Sequence, residues 1–145
     1  GQKIVNTRLN QGEICGTAWF NSEIVSYCWL VFRQAEVGEI DQVIKLRSDE
    51  LYLYDAFTLP EYRGKGFFPA LLTAVLSFAK SQDYTRALIF SLRDNRPSVR
   101  GIEKAGFCLL KSIYFIKIMG LPLCLSGGMR DKEFGVELAK MKENV

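Results

Sequence analysis

The chain reads Asp55-Ala-Phe-Thr-Leu-Pro-Glu-Tyr-Arg-Gly-Lys-Gly-Phe-Phe-Pro-Ala-Leu-Leu72, an extended apolar segment that breaks into a glycine-rich turn and then opens a helix. Backbone N–H groups at the start of a helix have no partner within the helix, and they carry the positive end of its dipole. Such groups bind an anion without a charged side chain. Gly64 and Gly66 let a phosphate approach closely, and Pro69 suits a first helical turn. The stretch therefore predicts a phosphate-binding turn, with a helix that begins near residues 64 to 66.

Two blocks of the chain resemble the GNAT superfamily of acyl-CoA-dependent N-acetyltransferases. The first block, Pro60-Glu-Tyr-Arg-Gly-Lys-Gly66 followed by Leu71-Leu72, is similar to motif A of that family. The second block, Asp94-Asn-Arg-Pro-Ser98 leading into Glu103-Lys-Ala-Gly-Phe107, resembles the later helix of the family, which ends in a Gly-Phe turn. The blocks come in the family's order, and the likeness spans roughly residues 36 to 118. Two motifs at suitable spacing are far more specific than a single glycine loop.

The resemblance implies both a fold class and an activity. The implied fold is an α/β (α+β) domain around a twisted, mostly antiparallel mixed sheet, with one splayed pair of parallel strands and flanking helices. In the family's chemistry, acyl-CoA and an amine bind together, and the amine attacks the thioester carbonyl directly. The chain is therefore expected to transfer an acetyl or other short acyl group from acetyl-CoA or another acyl-CoA, its co-substrate, to a primary amine. No metal is expected, and the acceptor amine is left unidentified.

The resemblance also implies how the pyrophosphate of the co-substrate is held. The expected ligands are the main-chain N–H groups of Gly64, Lys65, Gly66, Phe67 and Phe68. The side chains of Arg63 and Lys65 are available nearby, and charge-assisted bonds of this type contribute about 1.5–3 kcal/mol each. The family prefers Gly or Ala where this chain has Phe68, so the local approach of the backbone is expected to differ.

The pantetheine arm is expected to lie between the splayed strands, at residues 50–59 and 86–92, and to bond to the backbone as another strand would. The expected main-chain partners are Phe57, Thr58 and Leu59. An N–H group near Leu59 is also expected to bind the developing oxyanion. Asn95 matches a family residue that contacts pantetheine or orders its loop, but an asparagine before a helix is also an ordinary N-cap. Both roles of Asn95 stay open.

The attacking amine must be neutral, so the site needs a base. A lysine-like amine with a pKa near 10.4 is only about 0.04% neutral at pH 7. Asp55 lies on the strand before the turn, where related enzymes often carry an acidic pair, and we interpret it as the base or an acceptor-binding group. A structural hydrogen-bonding role is the alternative, and Glu39 and Glu50 are weaker candidates. Asp55 and Tyr54 face the same side of the strand only if a bulge intervenes.

The departing thiolate benefits from a proton donor. The family often supplies a tyrosine seven residues after the asparagine of the late helix, and this chain has Ile102 there. Tyr114 is the candidate substitute, against protonation by water, slow chemistry or no chemistry, because an aromatic residue on a strand usually packs in the core or at an edge. Two other classes therefore stay open: a catalytically silent CoA-binding sensor module, and an interaction fragment whose catalytic half lies upstream.

Composition and charge limit the class of protein. The 145 residues are 48% hydrophobic and 24% charged, which suits one soluble globular domain, and the net charge of +3 gives no broad basic surface. Nucleic acid is therefore not an expected partner.

The chain has no histidine, which excludes histidine-based triads and bases. Four cysteines without a Cys-x-x-Cys pair indicate reduced thiols and a cytoplasmic location. The apolar region from Cys108 to Leu125 is interrupted by Lys111 and Lys117, so no membrane span is predicted. A homodimer is left open.

Hydrophobic spacing predicts the order of the elements. The predicted strands are residues 13–20, 24–33, 36–46, 50–58, 86–92 and 107–118. The first four form an antiparallel meander, which turns at Asn21-Ser22 and again at Arg47-Ser-Asp49. The predicted helices are residues 65–81 and 96–105. Residues 126–145 are expected to form a short helix or a tail. Residues 1–12 are too few for the two helices that the family usually places between its first strands, so those helices are expected to be missing or upstream.

Overall fold

The computed structural model describes residues 1–37, 42–118, 121–126 and 135–141. In this part of the chain the helices are α1 (Gln2–Asn10), α2 (Phe67–Ser81) and α3 (Arg96–Lys104). The strands are β1 (Ile14–Phe20), β2 (Glu23–Val31), β3 (Gln34–Val37), β4 (Gln42–Lys45), β5 (Glu50–Thr58), β6 (Arg86–Leu92), β7 (Phe107–Ile118), β8 (Leu121–Ser126) and β9 (Gly135–Met141). A short 3₁₀ turn at Pro60–Tyr62 joins β5 to the segment that opens α2.

A seven-stranded mixed sheet organises the fold, in the order β1-β2-β5-β6-β9-β7-β8. Strands β5 and β6 are parallel, and the other pairs of this sheet are antiparallel. Asn21 and Ser22, both with positive φ, join β1 to β2, as expected of a two-residue hairpin turn. The predicted fold class, a mostly antiparallel mixed sheet with one parallel pair and flanking helices, is confirmed.

The predicted meander is wrong in its third strand. Strand β2 pairs directly with β5, and residues predicted as one strand at 36–46 contribute instead to a separate hairpin of β3 and β4. Its buried side chains Ala35 and Val37 pack with Tyr52 and Leu88. The hairpin therefore covers the second face of the sheet, which would otherwise leave these apolar side chains in water.

The end of the chain also differs from its prediction as a short helix or a tail. Strand β8 ends at Ser126, and β9 lies between β6 and β7, antiparallel to both. Because β9 pairs on both edges, it satisfies main-chain groups of β6 and β7 that would otherwise be unpaired. Residues 127–134 and 142–145 lie outside the described part.

The main core lies between the sheet and the apolar face of α2. The predicted helical spacing is confirmed, since the buried residues of α2 are Leu71, Leu72, Val75, Leu76 and Ala79. They pack with Cys28, Leu30, Leu51 and Leu53 of the sheet and with Ile102 of α3. Each large aliphatic side chain buried in this way contributes about 1.5–3 kcal/mol. Helices α2 and α3 thus share one face of the sheet.

Cys15, Cys28 and Cys108 are thiols and form no disulfide bond. Cys28 is completely buried, and desolvation raises the pKa of its thiol to about 12. A thiol of this kind stays protonated and unreactive in the folded protein.

Residues 1–12 are predicted to be too few for the family's two helices, and within them Gln2–Asn10 form the single helix α1. None of its residues is buried, and Ile4, Val5 and Leu9 are largely exposed. Helix α1 therefore adds little to the hydrophobic core. Within the described residues, no helix is long and apolar enough to cross a membrane.

Candidate active site

A gap opens between the parallel strands at their carboxyl ends. The pairing of β5 with β6 ends at Leu53 opposite Ile89, but β5 continues to Thr58 and β6 to Leu92. The two strands therefore diverge, and main-chain groups of β5 face a slot instead of a neighbouring strand. Such a slot accepts an extended ligand that bonds to the backbone.

A β-bulge lies where β5 leaves β6. Tyr27 of β2 pairs with Phe57 and Trp29 pairs with Tyr54, so Asp55 and Ala56 together stand opposite a single residue of β2. Asp55 has a φ of 46°, which is uncommon for a residue other than glycine. Arg8 contacts both Tyr54 and Asp55, so the bulge turns these two consecutive side chains toward the same side.

The turn before α2 presents a row of main-chain donors. Gly64 and Gly66 adopt φ values of 75° and 86°, and Gly66 is the N-cap of α2. In the part of the chain that the structure describes, the N–H groups of residues 64 to 68 make no hydrogen bond of ordinary length and angle to a protein acceptor. Residues 63 to 66 are exposed. We call residues 64–68 the cradle. Its geometry suits an anion.

Two cations flank the cradle. The Nε of Arg63 donates to the carbonyl oxygen of Thr58 at 2.9 Å, and its guanidinium lies 5.5 Å from the ring centroid of Phe57. The Nζ of Lys65 lies 5.5 Å from the ring centroid of Tyr62. Neither cation forms an ion pair with a carboxylate of the described residues. Both remain available to a phosphate.

Only one of the three predicted pantetheine partners presents its main chain to the slot. The N–H of Leu59 donates to the carbonyl oxygen of Val25 at 2.9 Å, on the β2 side, so Leu59 itself does not supply the oxyanion donor that is expected near this position. Phe57 pairs with Tyr27, and its carbonyl oxygen accepts a bond from Ser26. Because main-chain groups alternate along a strand, those of Thr58 point away from β2 and into the slot.

Phe68 directs its side chain toward α3 and away from the cradle's donors. A Cβ atom at Gly101 would lie 2.6 Å from Cδ1 of Phe68, so the ring occupies the space that Gly101 leaves on α3. This contact explains how the turn tolerates a bulky residue where the family prefers Gly or Ala. The ring also holds the first turn of α2 against α3.

We expect Gly101→Ala to destabilise the protein by about 1–3 kcal/mol, because the new methyl group overlaps the Phe68 ring. Elsewhere in a helix the same change stabilises by about 0.5–1 kcal/mol. Urea unfolding measures the difference. In a Phe68→Ala background the overlap disappears, so Gly101→Ala should then be neutral or stabilising. An equal loss in both backgrounds would contradict the contact.

The bulge carries a cluster of residues around Arg8 that sequence reasoning missed. The Arg8 guanidinium lies 5.0 Å from the ring centroid of Trp29 and 4.9 Å from that of Tyr54, and its Nη1 lies 2.5 Å from Oδ2 of Asp55. The Tyr54 hydroxyl donates to the Glu13 carboxylate. Burial and this carboxylate raise the pKa of Tyr54 above its ordinary value. A cation–π contact contributes about 0.5–1 kcal/mol at an exposed site and up to about 2 kcal/mol at a buried ring such as that of Trp29, and an exposed ion pair contributes about 0–1 kcal/mol.

The remaining predicted residues lie at the start of α3, in the core, away from the site, or outside the described part. Asn95 caps α3, where its Oδ1 accepts a bond from the N–H of Ser98 at 3.3 Å. Ile102 is a core residue with 4% exposure. Glu50 lies at the opposite end of β5 from the cradle, in an ion pair with Arg86 at 3.5 Å, so it is not part of the site. Glu39 and the side chain of Tyr114 lie outside the described part, and the use of Tyr114 as an acid stays a prediction.

Comparison with models of known protein families identifies the family of this chain. A model of the acetyltransferase (GNAT) family matches residues 3–107. The chain belongs to this family. It is accordingly an N-acetyltransferase that uses acetyl-CoA as co-substrate and an amine as acceptor. No curated protein matches the chain.

Solved structures share the fold at low sequence identity. An N-acetyltransferase from Staphylococcus aureus is 13% identical, with a TM-score of 0.66, and the match covers 97% of this chain and 73% of that one. A Bacillus subtilis acetyltransferase in complex with CoA is 15% identical, with a TM-score of 0.65 over 99% and 85% of the two chains. A spermidine N-acetyltransferase chimera from Vibrio cholerae is 14% identical, with a TM-score of 0.66 over 97% and 76%.

Proposed function

We propose that the cradle binds the pyrophosphate of acyl-CoA and that its pantetheine arm lies in the slot between β5 and β6. The observation that carries this proposal is the row of N–H groups at residues 64–68, which make no hydrogen bond of ordinary geometry to the described part of the protein and of which residues 64–66 are exposed. Two glycines with positive φ keep these groups accessible, and Arg63 and Lys65 add positive charge beside them. Bound acyl-CoA supplies the thioester from which the acyl group is transferred.

We further propose that Thr58 and Asp55 act on the reacting groups. The N–H of Thr58 points into the slot and is the candidate donor for the carbonyl oxygen of the thioester. Asp55 precedes Thr58 by three residues on β5, so the two residues lie about 10 Å apart along the strand, at about 3.3 Å per residue. Its carboxylate is exposed at the bulge, where it binds an incoming amine and accepts its proton directly or through a water molecule.

The acceptor is proposed to be a small primary amine that is cationic in solution. The exposed Asp55 carboxylate and the aromatic rings beside it suit a positively charged group. Among relatives of this fold, one is described as a spermidine N-acetyltransferase and another forms a complex with the aminoglycoside ribostamycin and coenzyme A. A homodimer and a cytoplasmic location also stay predictions, the second supported by the reduced thiols.

Thiol release from acetyl-CoA in the presence of a panel of amines tests this function. The panel contains n-butylamine, spermidine, an aminoglycoside, lysine and a peptide with a free amino terminus. We expect turnover with at least one cationic amine and thermal stabilisation by acetyl-CoA alone. Stabilisation without turnover on any amine would favour the sensor module. No stabilisation and no turnover would favour the interaction fragment.

A further inference from the structure

We propose that Trp29, Tyr54 and Asp55 form a cation-binding subsite for the acceptor, and that Arg8 is an internal occupant which the acceptor's ammonium group replaces. We call these three residues the cage. This proposal rests on the proposed function, because it names the chemistry that the acceptor side of the slot recognises. It assigns Arg8 a role in specificity for the amine.

The cage already has the chemistry of a cation site. Two aromatic faces lie 5.0 and 4.9 Å from the centre of the Arg8 guanidinium, and a carboxylate oxygen lies 2.5 Å from its Nη1. An aromatic face attracts a cation through its quadrupole, and the carboxylate adds a charge-assisted bond. A guanidinium or primary ammonium group on a flexible alkyl chain satisfies the same three partners. Arg8 is itself such a group.

The cage lies beside the slot. Asp55 belongs to the bulge at which β5 separates from β6, and this bulge turns Tyr54 and Asp55 to one side. A cation held here lies next to the point where the two parallel strands part. An ammonium group that replaces Arg8 would therefore lie at the edge of the slot, about 10 Å along β5 from the proposed oxyanion donor at Thr58.

Little besides the cage holds Arg8 to the sheet. No residue of α1 is buried, and no α1 residue belongs to either hydrophobic cluster. A cleft of about 1280 Å³ separates the helix from the end of β2 and the start of β3. The ion pair is open to solvent, with side-chain exposures of 22% for Arg8 and 43% for Asp55. A competing cation can therefore reach the carboxylate while the core stays intact.

The alternative is that Arg8 is a permanent positioning residue which orients Asp55. The two ideas predict opposite changes. If Arg8 competes with the acceptor, its removal strengthens the binding of an amine. If Arg8 only orients Asp55, its removal weakens or does not change that binding.

The experiment measures the dissociation constants of n-butylammonium and n-butylguanidinium for the protein without acetyl-CoA, from amide and indole shifts in NMR titrations. We expect Arg8→Ala to bind both cations at least five-fold more tightly than the unaltered protein. Arg8→Gln, which keeps most of the side chain, should show the same direction. Lys3→Ala is the matched control, since it removes one positive charge from α1 at an exposed residue that forms neither an ion pair nor a cation–π contact with the cage. It should leave both constants unchanged.

Two further measurements make the outcome decisive. Adding Asp55→Asn to Arg8→Ala should remove the gain, because the carboxylate is the charged partner of the cage. Unchanged or weaker binding by Arg8→Ala and Arg8→Gln, with folding verified by circular dichroism, would overturn the proposal.

Acetyl-CoA affinity is measured separately on the same variants. If acetyl-CoA binds normally but the amines show no gain, the cage proposal fails and the proposed function stands. If acetyl-CoA does not bind the unaltered protein, the proposed function fails, and the amine titrations still report on the cage.

Discussion

Gly66→Val is expected to weaken the binding of acetyl-CoA by about 100-fold or more while leaving most of the fold unchanged. Gly66 has a φ of 86° at the N-cap of α2, and a β-branched residue does not hold this conformation without strain. The turn must therefore change shape, and neighbouring N–H groups no longer converge. Losing two charge-assisted bonds at about 1.5–3 kcal/mol each corresponds to at least about a 100-fold change, since 1.4 kcal/mol is a factor of ten.

Gly106→Val is the matched control for this substitution. Gly106 also has a positive φ, 95°, and a Cβ atom there, as at Gly66, meets no neighbour within 4 Å. It follows α3 at the end of the helix opposite Asn95. The control should lose comparable stability in a thermal melt yet keep its affinity for acetyl-CoA in calorimetric titration. Unaltered affinity in Gly66→Val would argue against the cradle, and an equal loss in both variants would show a general effect of destabilisation.

The cradle and the helix after it were predictable because their signals are local. Glycine spacing, a proline in the first helical turn and the apolar spacing of α2 all lie within residues 64–81, and each depends on backbone geometry over a few residues. The same is true of the Asn21-Ser22 turn and of Asn95, whose capping bond spans three residues. None of these features depends on what the distant chain does.

The features that escaped prediction depend on pairing between distant segments. Strand β9 lies between β6 and β7. The sequence of residues 135–141 does not show that the edges of these two strands are the ones with which β9 pairs. The hairpin of β3 and β4 has strand-like residues, but only the apolar face around Tyr52 and Leu88, which the hairpin buries, explains why it leaves the main sheet. Local strand propensity does not distinguish pairing within the main sheet from pairing in a separate hairpin, because the same residues form a strand in either arrangement.

The bulge shows how a single register change decides the chemistry. Sequence reasoning recognised that Tyr54 and Asp55 share a side only if a bulge intervenes, but it had no means to place one. The bulge then sets which main-chain groups face the slot, so Thr58 faces it and Leu59 bonds to Val25. The cage is also a product of the bulge, since Arg8 reaches both side chains across 46 residues or more of sequence.

Asp55→Asn is expected to lower kcat/KM for the best amine by about 10²–10⁴-fold near neutral pH, the usual contribution of a positioned acid or base. Asparagine keeps the shape of the side chain and tolerates the φ of 46° at the bulge. The affinity for acetyl-CoA should stay the same, because Asp55 is not part of the cradle. Initial rates of thiol release measure the effect.

Asp83→Asn is the matched control, because Asp83 also has a positive φ, 64°, and follows α2 away from the bulge. It removes the same charge and should change kcat/KM little.

The loss in Asp55→Asn should shrink as the pH rises toward the amine's own pKa, near 10.4 for a lysine-like amine, because the amine then loses its proton without help. A loss of equal size at every pH would assign Asp55 to binding the acceptor and not to removing its proton. Rates equal to those of the unaltered enzyme at every pH would exclude Asp55 from both roles, and the cage would then lack its charged partner.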